Sequence, residues 1–502
     1  VLPARGVLNA PTASLNFEIY NGNADKSGGA DLNLAFPLDC GGIAMIDRVV
    51  ARCGGQVITR LDGVALYHII KNKYKSQPFR YNVLDVRHCS MSGADQRVQA
   101  NPPEVKAGFT TGGTTMAYHQ IQNPAIDQSA SFGDYPFGAP NNVQHIKPRN
   151  KCLRSGASAG RGPEVAIRLA DIIPFFVKNQ LPLLAMAQVE LEFHFRGGPA
   201  SATAYQNIND APIIANDPQA GGLGASTGHQ INFASPPFLS LDYLHYDESE
   251  QEKIMNQVKS GEIRMNFTEV VRTQGINPEY TGGVNGTHPI SSNHIIGMAG
   301  KEVKHIYVCK SWDIQSASGD AEKNNLQAGS QTHRNIQLWN YKSVALLGEK
   351  YNFIINNERV YNSDVELGAT QHRYMSECEG HWQCLPGQYD TNDFNQSVVN
   401  VLNNARDDGA QNAADNAGKT QVFLGGCSHV IGLNLDKYNE FGNTPGNGTR
   451  IGSSPIEFNF TCNKVESGVG GEVNKAAVNL TFYIEHRRSL IINQLGVSVS
   501  DA

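Results

Sequence analysis

Strict alternation of apolar and polar residues is the feature that most constrains this chain. In Gln188–Phe195, Val189, Leu191, Phe193 and Phe195 fall on one side, and Gln188, Glu190, Glu192 and His194 on the other. Successive side chains of a strand point to opposite faces, so the pattern predicts strands with one buried and one wet face. Near the C-terminus, Val478, Leu480, Phe482 and Ile484 alternate with Asn479, Thr481, Tyr483 and Glu485, and Ile456, Phe458 and Phe460 with Glu457, Asn459 and Thr461. Val303, His305 and Tyr307 fit another strand, but Ile306 and Val308 make it apolar on both faces. Further strands are expected at Ala30–Pro37, Ile46–Arg52, Val165–Ala170, Leu239–Tyr243 and Tyr351–Ile355.

Helical signals are few. Asp247 and Glu250 have capping-box spacing and lead into a stripe of Ile254, Met255 and Val258, which predicts a helix. A weaker candidate spans Val64–Lys73. Fifty glycines and 23 prolines in 502 residues suit many short strands joined by loops, not a helical bundle. The 40% hydrophobic content is enough for a core, so wholesale disorder is excluded. A net charge of −6 gives no support to a nucleic-acid-binding surface. No apolar run approaches the ~20 residues of a membrane helix, and no signal peptide is expected at the start.

Long aperiodic stretches at about 88–150, 312–335 and 385–418 are expected to be loops. A Gly-rich run, Gln219–Gly228, divides the chain. The two parts echo each other. Asp47–Thr59 reads as strand, tight turn and strand around Cys53-Gly-Gly-Gln56, and Asn352–Tyr361 has the same outline around Asn356-Asn357. This predicts one β fold built twice.

Motifs with chemical potential fail on their context. Gly156-Ala-Ser-Ala-Gly160 matches a nucleophile elbow, but no strand leads in and Pro163 follows. Ala413–Thr420 resembles a phosphate-binding loop without its first glycine or preceding strand. His372, Cys378, His381 and Cys384 form one compact Cys/His cluster, at a spacing foreign to standard zinc fingers. The nine scattered cysteines read as reduced thiols in a cytosol-like compartment. Six sequons occur, at Asn266, Asn285, Asn395, Asn447, Asn459 and Asn479, two of them inside expected strands. No catalytic, cofactor-binding or metal-ligating residues are expected, and no cofactor.

Three segments together resemble the double jelly-roll major capsid proteins of nucleocytoplasmic large DNA viruses, polinton-like viruses and virophages. They are Ile46–Gly63 with its Gly-Gly-Gln, preceded by Leu34-Ala-Phe-Pro-Leu38; Ile173–Phe193 with Pro-Phe-Phe and Leu-Pro-Leu-Leu-Ala; and Leu239–Glu252. The Leu-Pro-Leu-Leu-Ala run is the most specific. The match is close to about residue 265 and looser beyond.

The resemblance implies an all-β fold of two consecutive eight-stranded antiparallel jelly rolls with long loops and a few short helices. The expected division is a first jelly roll at 1–215, a linker at 216–232 and a second jelly roll at 233–502. It implies a non-enzymatic major capsid protein, a homotrimer with a pseudo-hexameric outline that tiles an icosahedral shell. Expected partners are further copies, neighbouring capsomers, and minor capsid and penton proteins, with an internal membrane as an open possibility and no sequence-specific nucleic acid. The expected location is the virion, and the host cytoplasm or virus factory during assembly. A carbohydrate-binding or carbohydrate-active β-sandwich would need clustered aromatics and a carboxylate pair, whereas Trp312, Trp339 and Trp382 are dispersed. A minor vertex or receptor-binding virion protein would be a single roll, against the internal echo.

Overall fold

The structure is a computed structural model. It describes residues 1–21, 33–35, 41–73, 164–177, 179–195, 231–233, 235–282, 286–312, 348–366, 368–378, 430–436, 448–466 and 477–501, with short pieces at 87, 110–111, 114–115, 152–153, 214–216, 343 and 346. Among these residues regular structure is mainly antiparallel strand, with a few short helices.

The C-terminal half shows its plan through pairing. Among the described residues eleven strands run from Glu262 onward; eight of them, in chain order, are Glu262–Asn277, Gly286–Ile296, Glu302–Trp312, Lys350–Ile355, Glu358–Arg359, Ile431–Asn434, Ile456–Glu466 and Val478–Asn493, and the other three are Val365–Glu366, Thr449–Arg450 and Gly496–Asp501. One sheet has the order first, eighth, third, sixth; the other has second, seventh, fourth, fifth. Among these eight, apart from the fourth–fifth hairpin, consecutive strands lie in opposite sheets, which is the jelly-roll arrangement; Val365–Glu366 adds to the fourth strand, Thr449–Arg450 to the third and Gly496–Asp501 to the eighth. Apolar faces of the two sheets meet in a core that contains Ile306, Val308, Phe353, Phe458, Phe460 and Phe482. Phe458 and Phe482, from opposite sheets, pack edge to face at 5.4 Å between ring centres. Each fully buried aromatic of this kind contributes about 2–3 kcal/mol of transfer free energy.

In the N-terminal half, Ile46–Cys53 is flanked by Val189–Phe195 and Gln56–Asp62. This is the order of Ile456–Glu466, Lys350–Ile355 and Glu358–Arg359 in the other half. The expected echo therefore falls on strands with matching neighbours. Both hairpins turn through two residues at positive φ, Gly54 (+56°) with Gly55 (+83°), and Asn356 (+52°) with Asn357 (+68°). Two left-handed residues match the twist of the flanking strands, and glycine and asparagine tolerate that conformation best. The first hairpin is followed directly by a positive-φ glycine, Gly63, and the ten-residue helix Val64–Lys73; the second is followed by the short strand Val365–Glu366, then by Gly368, also at positive φ, and the ten-residue helix Ala369–Cys378.

Other expectations also meet the coordinates. Asp247 caps the helix Glu248–Ser260 by accepting the Glu250 N–H at 2.9 Å. Val258 is buried, and Ile254 and Met255 are half-buried beside it. In Ile173–Phe193 the two phenylalanines of Pro-Phe-Phe are fully buried, and Phe175 meets Phe267 of the second half at 5.2 Å. Strands Ile231–Phe233, Phe238–Ser240 and Tyr243–Leu244 pair with Ser14–Asn21 and Val7–Asn9, so backbone as far as Leu244 runs along N-terminal strands.

One expectation needs correction. The polar face of Val478–Asn493 is not wet: Thr481, Tyr483 and Glu485 are buried. Ile484 and Phe482 belong to the second core, whereas Tyr483 packs in the first. The same holds for Glu302–Trp312, where Ile306 and Val308 face one core and Tyr307 and Cys309 the other. This sheet has no solvent face here because the first half covers it.

Candidate functional site

The buried face of that sheet meets the end of the first hairpin and its helix. Tyr483 Oη donates to the Gly63 carbonyl at 2.8 Å, and its ring lies 5.5 Å from that of Tyr67. Gly63 has φ +67°, and a Cβ there would fall 2.5 Å from Tyr483 Oη. Only glycine fits both the backbone and the space.

Glu485 is the centre of a polar cluster inside this junction. Its Oε1 accepts from Tyr67 Oη at 2.5 Å and lies 3.1 Å from Lys71 Nζ; its Oε2 lies 2.8 Å from His305 Nδ1. Lys71 Nζ also donates to Tyr307 Oη at 3.0 Å and sits 5.1 Å from the centre of that ring. Tyr67 and Lys71 are four residues apart on one helix and so share a face. Burial alone would raise the Glu485 pKa. The Lys71 ammonium, the His305 imidazole and the Tyr67 hydroxyl outweigh it and hold the carboxyl well below the usual carboxylate range.

A second contact runs along Gln56–Asp62. The Arg60 N–H donates to Glu269 Oε1 at 3.0 Å, and Arg488 donates to the Ile58 carbonyl at 2.9 Å while pairing with Asp501 at 3.1 Å. Glu269 is deeply buried, and burial pushes its pKa up to about 7 against the opposing pull of Thr59, Arg60, Arg488 and Lys301. The junction thus combines apolar packing, Phe175 on Phe267 and Tyr67 on Tyr483, with the paired charge of Glu485 and with Glu269, whose Oε2 is buried without a hydrogen-bond partner. Its chemistry is cohesive: a buried carboxylate saturated by three partners is not presented to a substrate.

No family model matches the chain, and no curated protein matches it. Among solved structures it is similar to PBCV-1 VP54 as fitted into a cryo-EM reconstruction of the virophage Sputnik, with TM-score 0.45 and 11% identity, covering 100% of this chain and 98% of that one. It is similar to the Faustovirus major capsid protein, with TM-score 0.43 and 9% identity over 98% of this chain and 80% of that one. The mavirus major capsid protein gives TM-score 0.36 and 10% identity over 99% of this chain and 85% of that one.

The motifs weighed in the sequence do not assemble into a reactive centre among the described residues. Gly156–Gly160, Ala413–Thr420 and the run Gln219–Gly228 lie outside them, as do His381, Cys384 and most of the long stretches 88–150, 312–335 and 385–418. Cys378 is buried on the helix Ala369–Cys378, with its Sγ 3.3 Å from the Tyr374 carbonyl. Cys53, Cys309, Cys378 and Cys462 are free thiols. Among the described residues no group of His, Cys, Asp or Glu is placed to hold a metal ion, and no helix is long and apolar enough to cross a membrane. Sequence reasoning names His305, Tyr307 and Glu485 only as strand residues and does not bring them together with Tyr67 and Lys71; the doubly apolar run at 303–308 is the one available signal.

Proposed function

We propose that this chain is a major capsid protein whose homotrimer, with six similar modules in a pseudo-hexagonal outline, tiles an icosahedral DNA-virus shell. The observation that carries this reading is the repeated unit of hairpin, glycine and helix, one copy of which docks on the jelly-roll sheets of the second half of the same chain. Two modules held rigidly side by side by a buried junction suit a tile. Three segments of the sequence resemble the double jelly-roll capsid family and support the same reading.

On this proposal the domains divide between Leu244 and Glu262, later than the sequence places the boundary, because strands to Leu244 pair with the N-terminal ones. The role is structural, without catalysis. The protein resides in the virion, after assembly in the host cytoplasm or virus factory, and its partners are further capsomers and the minor capsid and penton proteins. Light scattering of purified protein should give three times 54.5 kDa, and the mass should survive dilution, because obligate interfaces bury roughly 2,000 Å2 or more. Electron micrographs of that species should show hexagonal particles. A stable monomer without hexagonal particles refutes the reading.

A further inference from the structure

We propose that the contact of strand Gln56–Asp62 with the second module is a proton-operated latch, closed while the Glu269 carboxyl keeps its proton and opening more readily once that proton is lost to solvent. The inference concerns the junction within one chain and stands apart from the trimer reading.

Two carboxyls are buried in this junction, and they are built differently. Glu485 gives both oxygens to partners, Tyr67 and Lys71 on Oε1 and His305 on Oε2. Glu269 gives one. Its Oε1 accepts the Arg60 N–H at 3.0 Å, whereas its Oε2 is buried without a hydrogen-bond partner among the described residues. A buried carboxylate oxygen without a donor is costly, and holding a proton removes the charge.

The surroundings do not supply the missing positive charge. His486 is the register partner of Glu269 on the neighbouring strand, so the two side chains share a face. Its Nδ1 donates to the Arg487 carbonyl at 3.2 Å, which leaves Nε2 as an acceptor, buried and without a partner among the described residues. Burial, with Lys301 and Arg488 nearby, holds the His486 pKa down at about 4, so the ring is neutral beside Glu269. Lys301 and Arg488 are themselves paired with Asp501, at 3.7 and 3.1 Å, and Arg487 with Glu302 at 3.4 Å. The remaining neighbours, Thr59 and the Arg60 N–H, come from the strand that the latch holds.

That strand is placed to move. Gln56–Asp62 ends its sheet among the described residues and pairs along one edge with Ile46–Cys53. Towards the second module it offers the Arg60 N–H to Glu269 and the Ile58 carbonyl to Arg488. Lifting this edge brings water to Glu269 without unzipping the hairpin. The closed contact holds the proton to about pH 7, whereas an open one releases it near the ordinary value of 4.5. The opening constant therefore rises tenfold per pH unit between those values, roughly 300-fold in all, and is level above them. The Glu485 clasp does not change over that range, because its carboxyl is ionised throughout. The modules stay joined there while the neighbouring edge loosens.

The test is hydrogen exchange of the purified full chain, read by mass spectrometry with fragmentation to single residues. The Arg60 amide is the reporter, because its acceptor is the Glu269 carboxyl itself. Corrected for intrinsic exchange, its opening constant should rise roughly 300-fold from about pH 4.5 to about pH 7 and then level off. Low urea should hardly change it, since a local opening exposes little surface, whereas exchange within Val478–Asn493 should respond steeply. In Glu269→Gln the Arg60 amide should lose its pH response. An Arg60 amide as urea-sensitive as Val478–Asn493 shows that no separate latch exists. A local opening that ignores pH, or one whose pH response survives in Glu269→Gln, overturns the role of the carboxyl. If that variant does not fold, the pH and urea series of the parent decides alone.

Discussion

Tyr67 Oη donates a 2.5 Å hydrogen bond to Glu485 Oε1, although 418 residues separate the two in sequence. The bond ties the helix of the first module to the last long strand of the second. It also places a carboxylate where neither module alone would keep one, since Glu485 is 4% exposed and its partners Lys71 and His305 come from different halves.

Removing that carboxylate should loosen the junction. Glu485→Ala leaves Lys71 and His305 facing a hole, and loss of one partner of a buried ion pair costs about 3–5 kcal/mol. Tyr67→Phe removes one hydrogen bond to a charged group, for about 1.5–3 kcal/mol. Urea unfolding of both single variants and the double variant should show strongly non-additive losses; additive losses would mean the two groups act independently. The pH dependence has a definite sign. Glu485 has a folded pKa below its ordinary value of 4.5, so its contribution is complete above about pH 4.5 and is lost as pH falls below it.

Glu269 should behave in the opposite way. Burial raises its pKa from 4.5 to about 7, so the folded state holds a proton that the unfolded state releases. Stability from this group is full below about pH 4.5, declines as pH rises towards 7, and is then constant. Glu269→Gln keeps an acceptor for the Arg60 N–H and cannot ionise. The variant should match the parent near pH 4.5 and exceed it at pH 8 by about 3 kcal/mol, from a shift of that size at 1.36 kcal/mol per unit. Equal stability at pH 8, read from urea midpoints, would show that the carboxylate is solvated.

Gly63 and Gly368 offer a matched comparison. Both have positive φ before a helix, but a Cβ at Gly63 meets Tyr483 Oη at 2.5 Å, whereas at Gly368 it meets nothing within 4 Å. Gly368, at φ +153°, lies outside the left-handed helical region, and Gly368→Ala should cost about 1–3 kcal/mol from backbone conformation alone. Gly63→Ala should cost more, because it also displaces the Tyr483 hydroxyl from the Gly63 carbonyl. Adding Tyr483→Phe to each should recover part of the loss at Gly63 and none at Gly368; equal recovery at both would remove the steric explanation.

These sites show where sequence was informative. Alternation at 456–460 and 478–484 correctly assigned the core face of each strand, because a two-residue period is local. The paired hairpins at 47–59 and 352–361 were readable from Gly54-Gly55 and Asn356-Asn357, because turn chemistry is local as well. The opposite face of 479–485 misled. Tyrosine, threonine and glutamate read as a wet face, and alternation cannot distinguish water from a second module that brings its own hydroxyl, ammonium and imidazole. The apolar pair Ile306 and Val308 beside Tyr307 was the clue that this sheet is covered on both sides. Partners hundreds of residues away leave no local pattern, so the Glu485 cluster emerged from the fold alone.

The second roll holds a further buried pair. Lys310 and Glu349 are fully buried and bonded to each other. Glu349 also accepts from the Gln371 amide at 3.0 Å and from the Leu346 N–H at 3.3 Å. Burial pushes the Lys310 pKa down and that of Glu349 up, and each partner pulls the other back. Desolvating two such ions consumes most of their attraction, so an apolar pair of similar volume should serve about as well. Lys310→Met alone strands the carboxylate in the core and should cost about 3–5 kcal/mol. Lys310→Met with Glu349→Leu should recover part of that loss, less about 1–3 kcal/mol for each of the two orphaned donors, the Gln371 amide and the Leu346 N–H. Thermal unfolding of the single and double variants measures both quantities. If the double variant is as unstable as the single one, the pair is required for more than its own neutralisation, and the hydrogen bonds from Gln371 and Leu346 carry the difference.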